Sequence, residues 1–334
     1  MKWSLFIGKP FGTRLYIHWT FLFLLVWVAL NAVRAGSTPL QTAFSILFML
    51  SVFACVLMHE LGHAIAGKQL GYLTRKITLL PIGGIANMEG IPDNPVHELK
   101  VTIAGPAVNF VLALFLSPVF LLQKNPSVDF LHLKSGYDFA ASLFFVNISL
   151  LLFNLLPAFP MDGGRILRAT LALRSGDRVK ATKIASAIGK GFGGLFFISG
   201  LFFNPFLAVI GIFVFLMAQA ENEMVRSANY LKQFTAADVL LTNFHSLSVN
   251  DTLDDAVNLL LDVQAKDFVV LKDGNLAGTL SQFEIIRALS KRENKTLLAE
   301  IMNTNYSTTD LKHPLESVFT LLKQNGNSII PVID

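Results

Sequence analysis

Long runs of apolar residues fill the chain as far as about Met224, and after about Ala228 they give way to short apolar stretches broken by charge. Six of the long runs approach the roughly 20 residues a helix needs to cross a bilayer. They cover about Tyr16–Val33, Thr42–Gly67, Leu99–Leu122, Phe139–Leu156, Ile184–Phe203 and Phe206–Met224, the last two joined through Asn204-Pro205. Backbone amides in hydrocarbon must be satisfied inside their own segment, so these runs predict helices. Between Ile77 and Met88 the string ITLLPIGGIANM is apolar but too short to span, and Pro81, Gly83 and Gly84 argue against helix. Two readings of it stand: a re-entrant β-like hairpin, or an interfacial loop with apolar side chains.

The segment after Ala228 has the alternation of an α/β domain. DVLLTNFHSLSVNDTLDDAVNLLL, DFVVLKDGNLAGTL and SQFEIIRALSKR read as strand, helix, two strands and helix. Asp251 or Thr252 caps the first helix, and KDGN is a hairpin turn. The pattern restarts at AEIMNTNYSTTDLKHPLESVFTLLKQNGNSIIPVID and stops after one more strand, an internal repeat of roughly 60 residues with an incomplete second copy. The expected domains are therefore 1–228, helical and membrane-embedded, and 229–334, α/β.

Composition sharpens this reading. The chain is 53% hydrophobic and 15% charged, against about 25% charged in soluble domains. The formal charge of +4 would fit a nucleic-acid partner. However, most basic residues flank the apolar runs, so we read them as topology signals and expect no nucleic acid. Fourteen of them (Lys2, Lys9, Arg14, Lys68, Arg75, Lys76, Lys100, Arg165, Arg168, Arg174, Arg178, Lys180, Lys183 and Lys190) fall on one side, against Arg34, Lys124 and Lys134 on the other. The predicted topology is a multi-pass protein of the plasma membrane with both termini cytoplasmic. The first run carries no cleavable signal pattern. Cys55, the only cysteine, excludes an internal disulfide framework.

The chemistry lies in HELGH, inside the second run. His59 and His63, four residues apart, share a helical face and can hold one zinc, with Glu60 beside them as general base. Three ionisable residues within five are costly in a membrane helix and point to function. Catalytic zinc usually takes a third protein ligand. Asp162, in NLLPAFPMDGGR at the end of the fourth run, matches the depth of the histidines. Its competing reading is a cap for the helix GRILRATLAL.

On HELGH, the PIGG loop at 81–84, AGPAVN at 104–109 and NLLPAFPMDGG at 154–164, the chain resembles the site-2 protease family of intramembrane zinc metalloproteases. The resemblance extends over essentially the whole sequence. It implies a zinc metalloendopeptidase with one Zn2+ per chain, held by His59, His63 and Asp162, and Glu60 as base. The implied substrate is a transmembrane or membrane-associated protein, cut by regulated intramembrane proteolysis. Asn154 and Asn109, with Gly83 and Gly84, are then implied to hold the substrate backbone, while hydrogen bonding between helices is the other use of such asparagines. The tail resembles cystathionine-β-synthase-type (CBS) modules, which implies an adenine nucleotide such as ATP at Gly278, Ser281 and Glu284. A structural tail, or one that forms a homodimer, is the alternative. The expected fold class is thus an α-helical polytopic membrane protein, six transmembrane helices plus the hairpin, followed by a cytoplasmic α/β CBS-type domain. A transporter whose His, Glu and Asp line an ion path competes with the protease, but leaves the zincin spacing of Glu60 unexplained.

Overall fold

The computed structural model describes residues 4–81, 83–88, 93–122, 136–263, 265–290, 296–325 and 328–333. Lys2, Lys124 and Lys134 of the topology argument, Ile82 of the PIGG loop and Lys291 and Arg292 of SQFEIIRALSKR lie outside the described residues. The chain divides into two units, Met1–Glu223 and Met224–Asp334.

The first unit opens on two strands, β1 (Ser4–Gly8) and β2 (Arg14–His18), followed by α1 (Thr20–Arg34) and α2 (Pro39–Gln69). β3 (Thr74–Leu80) and β4 (Gly83–Met88) come next, then α3 (Pro95–Leu122), α4 (Gly136–Asn154), α5 (Asp162–Ser175), α6 (Arg178–Phe203) and α7 (Pro205–Leu231). The strands form one sheet in the order β1-β2-β3-β4. β1 is antiparallel to β2, β2 parallel to β3, and β3 antiparallel to β4 with Leu79 opposite Gly84. The parallel step obliges the chain to cross over, and α1 and α2 make that crossing.

The first apolar run is therefore corrected. Tyr16, Ile17 and His18 belong to a strand, and the helix begins only at Thr20. A continuous apolar run does not distinguish a buried strand from the helix after it, which is why the pattern concealed the break. Among the described residues five helices are long and apolar enough to cross a membrane, α2, α3, α4, α6 and α7. At 15 residues α1 is shorter, about 22 Å against a hydrocarbon core of roughly 30 Å. The apolar windows of the five helices are no more than 28% buried, and Phe115, Phe203 and Phe206 are at least 80% exposed. Such an exterior fits lipid, not water. This is a multi-pass membrane protein.

Local signals account for the helix ends. Thr38 caps α2 in a reciprocal box with Gln41, ahead of Pro39 in the first turn. Gly176, with φ of +68°, ends α5 in the left-handed conformation, and the Asp177 side chain accepts from the Lys180 amide to start α6.

The second unit runs from the end of α7 into β5 (Ser246–Ser248), α8 (Leu253–Asp262), β6 (Asp267–Lys272), β7 (Asn275–Ser281), α9 (Gln282–Leu289), α10 (Leu298–Ile301) and α11 (Leu315–Asn325). β5 is parallel to β6 and β6 antiparallel to β7. The hairpin turns at Asp273 and Gly274, both with positive φ, as a two-residue turn in a twisted ribbon requires. Thr252 caps α8, pairing reciprocally with Asp255. The apolar positions of the alternating pattern close over Leu253, Phe268, Val270, Leu280, Ile285 and Leu298.

Candidate metal centre

His59 and His63 sit one turn apart on α2 with their rings perpendicular and 4.8 Å between centroids. Each Nδ1 faces α3: His59 lies 2.5 Å from Asn109 Oδ1, and His63 2.8 Å from the Val101 carbonyl. Both partners are acceptors, so both imidazoles carry their proton on Nδ1. For His63 this follows at once, because a carbonyl only accepts. For His59 it follows through a relay. The Leu143 carbonyl accepts from Asn147 Nδ2, so Asn147 Oδ1 must face Asn109 Nδ2, at 3.0 Å. Asn109 Oδ1 is then left toward His59. Asn147 Nδ2 also reaches Cys55 Sγ, one turn before His59 on α2.

Fixing the protons on Nδ1 leaves both Nε2 lone pairs pointing into one space. Those two atoms are 3.1 Å apart, and Asp162 Oδ2 lies 3.2 Å from each. The Asp162 oxygen is buried with no hydrogen-bond donor among the described residues. Three lone pairs thus converge with no proton between them, an arrangement that repels itself unless a cation stands there. The triangle's edges of 3.1 to 3.2 Å approach the roughly 3.3 Å expected between ligands about 2.0–2.1 Å from a tetrahedral zinc. Two nitrogens and a carboxylate oxygen also match the donor set of catalytic zinc sites.

Several features of the chain allow this approach. Asp162 is the first residue of α5, and Met161 is its cap residue. The carboxylate is directed at the histidines, so the helix-cap reading is not what the structure shows. Gly163 follows so closely on the loop 155–161 that a Cβ there would overlap the Leu155 and Leu156 carbonyls. On α3, a Cβ at Gly105 would overlap the His63 ring and come within 2.8 Å of His59 Nε2. Pro106 beside it removes one backbone hydrogen bond from α3. Glu60 lies against the sheet: a Cβ at Gly84 would stand 2.7 Å from Glu60 Cγ.

Arg168 locks α5 in place. Its side chain is wholly buried, pairs with Glu98 of α3, and donates to Glu221 of α7 at 2.5 Å. Its guanidinium carbon lies 5.1 Å from the centre of the Phe159 ring. Burial opposes its charge, but the two carboxylates more than offset this and raise its pKa. Arg168 is therefore not the surface topology charge read from the sequence. Replacing it with leucine strands the buried Glu98 carboxylate and the half-buried Glu221 carboxylate and is expected to cost about 3–5 kcal/mol. Thermal unfolding in detergent measures this, and an unchanged midpoint would show the triad to be dispensable.

Of the other residues singled out from the sequence, Asn154 ends α4 half-buried and donates to the Leu150 carbonyl of its own helix. Gly83 is paired with Leu80 beside Gly84. His18 bonds to Thr20 at the start of α1, a local contact. In the second unit Ser281 caps α9 in a reciprocal box with Glu284, and Gly278 packs against Met302 and Asn303. The sequence reading did not identify Asn147, Gly105, Val101, Glu98 or Glu221. Two signals were available: Asn147 is a polar residue within the fourth apolar run, and Gly105 lies in AGPAVN at 104–109.

Residues 47–131 and 132–195 match the model of peptidase family M50, and residues 236–291 match that of the CBS domain. A zinc metalloprotease of Methanocaldococcus jannaschii is 34% identical over 285 residues, covering 84% of this chain and 78% of the relative. The chain belongs to peptidase family M50, the site-2 proteases. It is a zinc metalloprotease with a CBS domain. The solved structure of a site-2 protease from Methanocaldococcus jannaschii matches 66% of this chain and 95% of its own, at 36% identity and a TM-score of 0.47. Zinc is the metal of this family, and His59, His63 and Asp162 form a cluster able to hold one metal ion.

Proposed function

We propose that this site-2 protease hydrolyses a peptide bond within or near a transmembrane segment of a substrate protein, with one zinc per chain held by His59, His63 and Asp162. The observation that carries the assignment is the convergence of His59 Nε2, His63 Nε2 and Asp162 Oδ2, with both imidazole protons fixed on the opposite side of the rings. Zinc held there would supply Lewis acidity toward the scissile carbonyl and would lower the pKa of water toward neutrality. Glu60, next to His59 on α2, takes the proton from the attacking water and returns it to the leaving nitrogen. Asn109 and the Val101 carbonyl hold the two imidazoles in the ligating tautomer.

A helical substrate hides its amides, so it must unwind before attack. β4 is an outer strand of the sheet, and its Gly84 touches Glu60. We read that strand as the template on which the unwound segment adds, held through Gly83 and Gly84 and extended by Asn154. We further read α1 as the sixth crossing, which puts both termini on the cytoplasmic side of the plasma membrane. The CBS unit is read as a regulator that binds an adenine nucleotide or pairs with a second copy.

Chelation is the direct test. Full-length protein in detergent, treated with 1,10-phenanthroline, is expected to lose cleavage of a single-pass model substrate and to regain it with stoichiometric zinc. Cleavage that survives complete zinc removal would refute the metal assignment.

A further inference from the structure

At the end of α2 beyond the metal centre lies a cavity of about 420 Å³. Lys9, Arg14, Lys68 and Arg75 line it, and no acidic residue is among the described lining residues. These cations come from four separate places: the turn after β1, the start of β2, the last turn of α2, and β3. A topology signal requires only that positive charges lie on one side of the membrane. It does not require them to converge on one cavity.

The convergence is built. Lys68 Nζ donates to the Phe11 carbonyl at 2.9 Å, which holds the ammonium at the wall and leaves further N–H groups. The carbonyl is presented by a turn in which Phe11 and Gly12 both have positive φ. Thr74 also lines the cavity, and its buried hydroxyl has no hydrogen-bond partner among the described residues. A buried donor of this kind calls for a partner.

The surroundings identify the kind of anion. Leu5, Phe6 and Ile7 are consecutive on β1, so their side chains point to both faces of the sheet, yet all three are more than half exposed. Phe11 and Leu73, at the cavity itself, are 62% and 55% exposed. Phe11 and Leu73 are large apolar groups beside a cationic cavity at the end of a membrane-length helix. Together they suit a molecule with acyl chains and an anionic head. Basic pockets at this depth bind acidic lipid headgroups. We propose that this cavity binds the phosphate of an anionic phospholipid. Ala64, in its wall, lies one turn from Glu60 on α2, so a bound lipid would stand beside the metal centre without taking part in it.

Native mass spectrometry of the full-length protein in neutral detergent, titrated with phosphatidylglycerol or phosphatidylcholine, tests the proposal. Wild type is expected to retain phosphatidylglycerol at about tenfold lower concentration. Arg14→Gln with Arg75→Gln should remove the preference, each lost cation costing roughly fivefold, while Lys183→Gln, on α6, should keep it. If the double variant does not fold, Lys9→Gln alone should weaken the preference. Equal retention of both lipids by wild type would overturn the proposal, as would a preference that survives every cavity substitution. Inorganic phosphate that bound alone and displaced the lipid at matched concentration would assign the cavity to a free anion. Preferential capture of an acidic peptide would assign it to a protein segment. Either result would overturn the lipid assignment.

Discussion

Asp162→Ala is expected to reduce bound zinc from one per chain to a level removed by dialysis, and to lower kcat/KM at least about 10³-fold, a loss of roughly 4 kcal/mol in transition-state stabilisation. Two neutral imidazoles would remain, without the anionic ligand that lies 3.2 Å from both. Asp162→Asn separates ligation from helix-end electrostatics. An acidic residue at the first position of a helix such as α5 contributes about 0.3–1 kcal/mol through the helix dipole, and an asparagine there would still accept hydrogen bonds from free amides. If Asp162 served only α5, the asparagine variant would keep its zinc and its activity. Metal analysis of the purified variants decides, and a full zinc complement in Asp162→Ala would remove this residue from the ligand set.

Glu60→Gln should produce the opposite pattern, with zinc retained and cleavage lost. Glutamine keeps the shape of the side chain against Gly84, where even an added Cβ would come within 2.7 Å of Glu60 Cγ, so neither α2 nor β4 needs to move. It does not accept a proton at neutral pH. General acid–base groups contribute about 10²–10⁴-fold, and the expected loss lies at the upper end because one carboxylate is assigned both proton transfers. Single-turnover cleavage of a model transmembrane substrate measures the effect. Activity within a few-fold of wild type would show that the proton goes elsewhere. The two variants are informative together, because metal loss without Glu60 and metal retention without Asp162 would reverse both assignments.

The features legible in the sequence were those set by neighbours close along the chain. His59, Glu60 and His63 were readable because four-residue spacing places two side chains on one helical face whatever surrounds the helix. The long helices were readable because hydrocarbon leaves a spanning backbone little alternative. In the second unit Thr252, Asp255, Asp273 and Gly274 marked a cap and a turn through interactions within a few residues. Asp162 stood out by its chemistry, with Pro157, Pro160, Gly163 and Gly164 around it. What the sequence could not show was whether its carboxylate would turn to its own helix or to α2.

Packing between elements distant in the chain decided the remainder. Arg168 looks like any other arginine among the basic residues of its segment, and only Glu98, 70 positions away, and Glu221, 53 away, make it a buried link between three helices. Gly105 matters because two imidazoles of another helix lie against it. Asn109 and Asn147 set the tautomer of His59 through a relay that begins at the Leu143 carbonyl. β1 and β2 were hidden because an apolar run is common to strand and helix, and the parallel pairing of β2 with β3 joins segments about 60 residues apart. By itself the sequence determined a membrane-embedded helix carrying HELGH and an α/β tail, since local spacing and solvation dictate these. Tertiary structure alone decided which lone pairs meet, which protons face away, and which charges are buried, because each of these depends on groups brought together from across the chain.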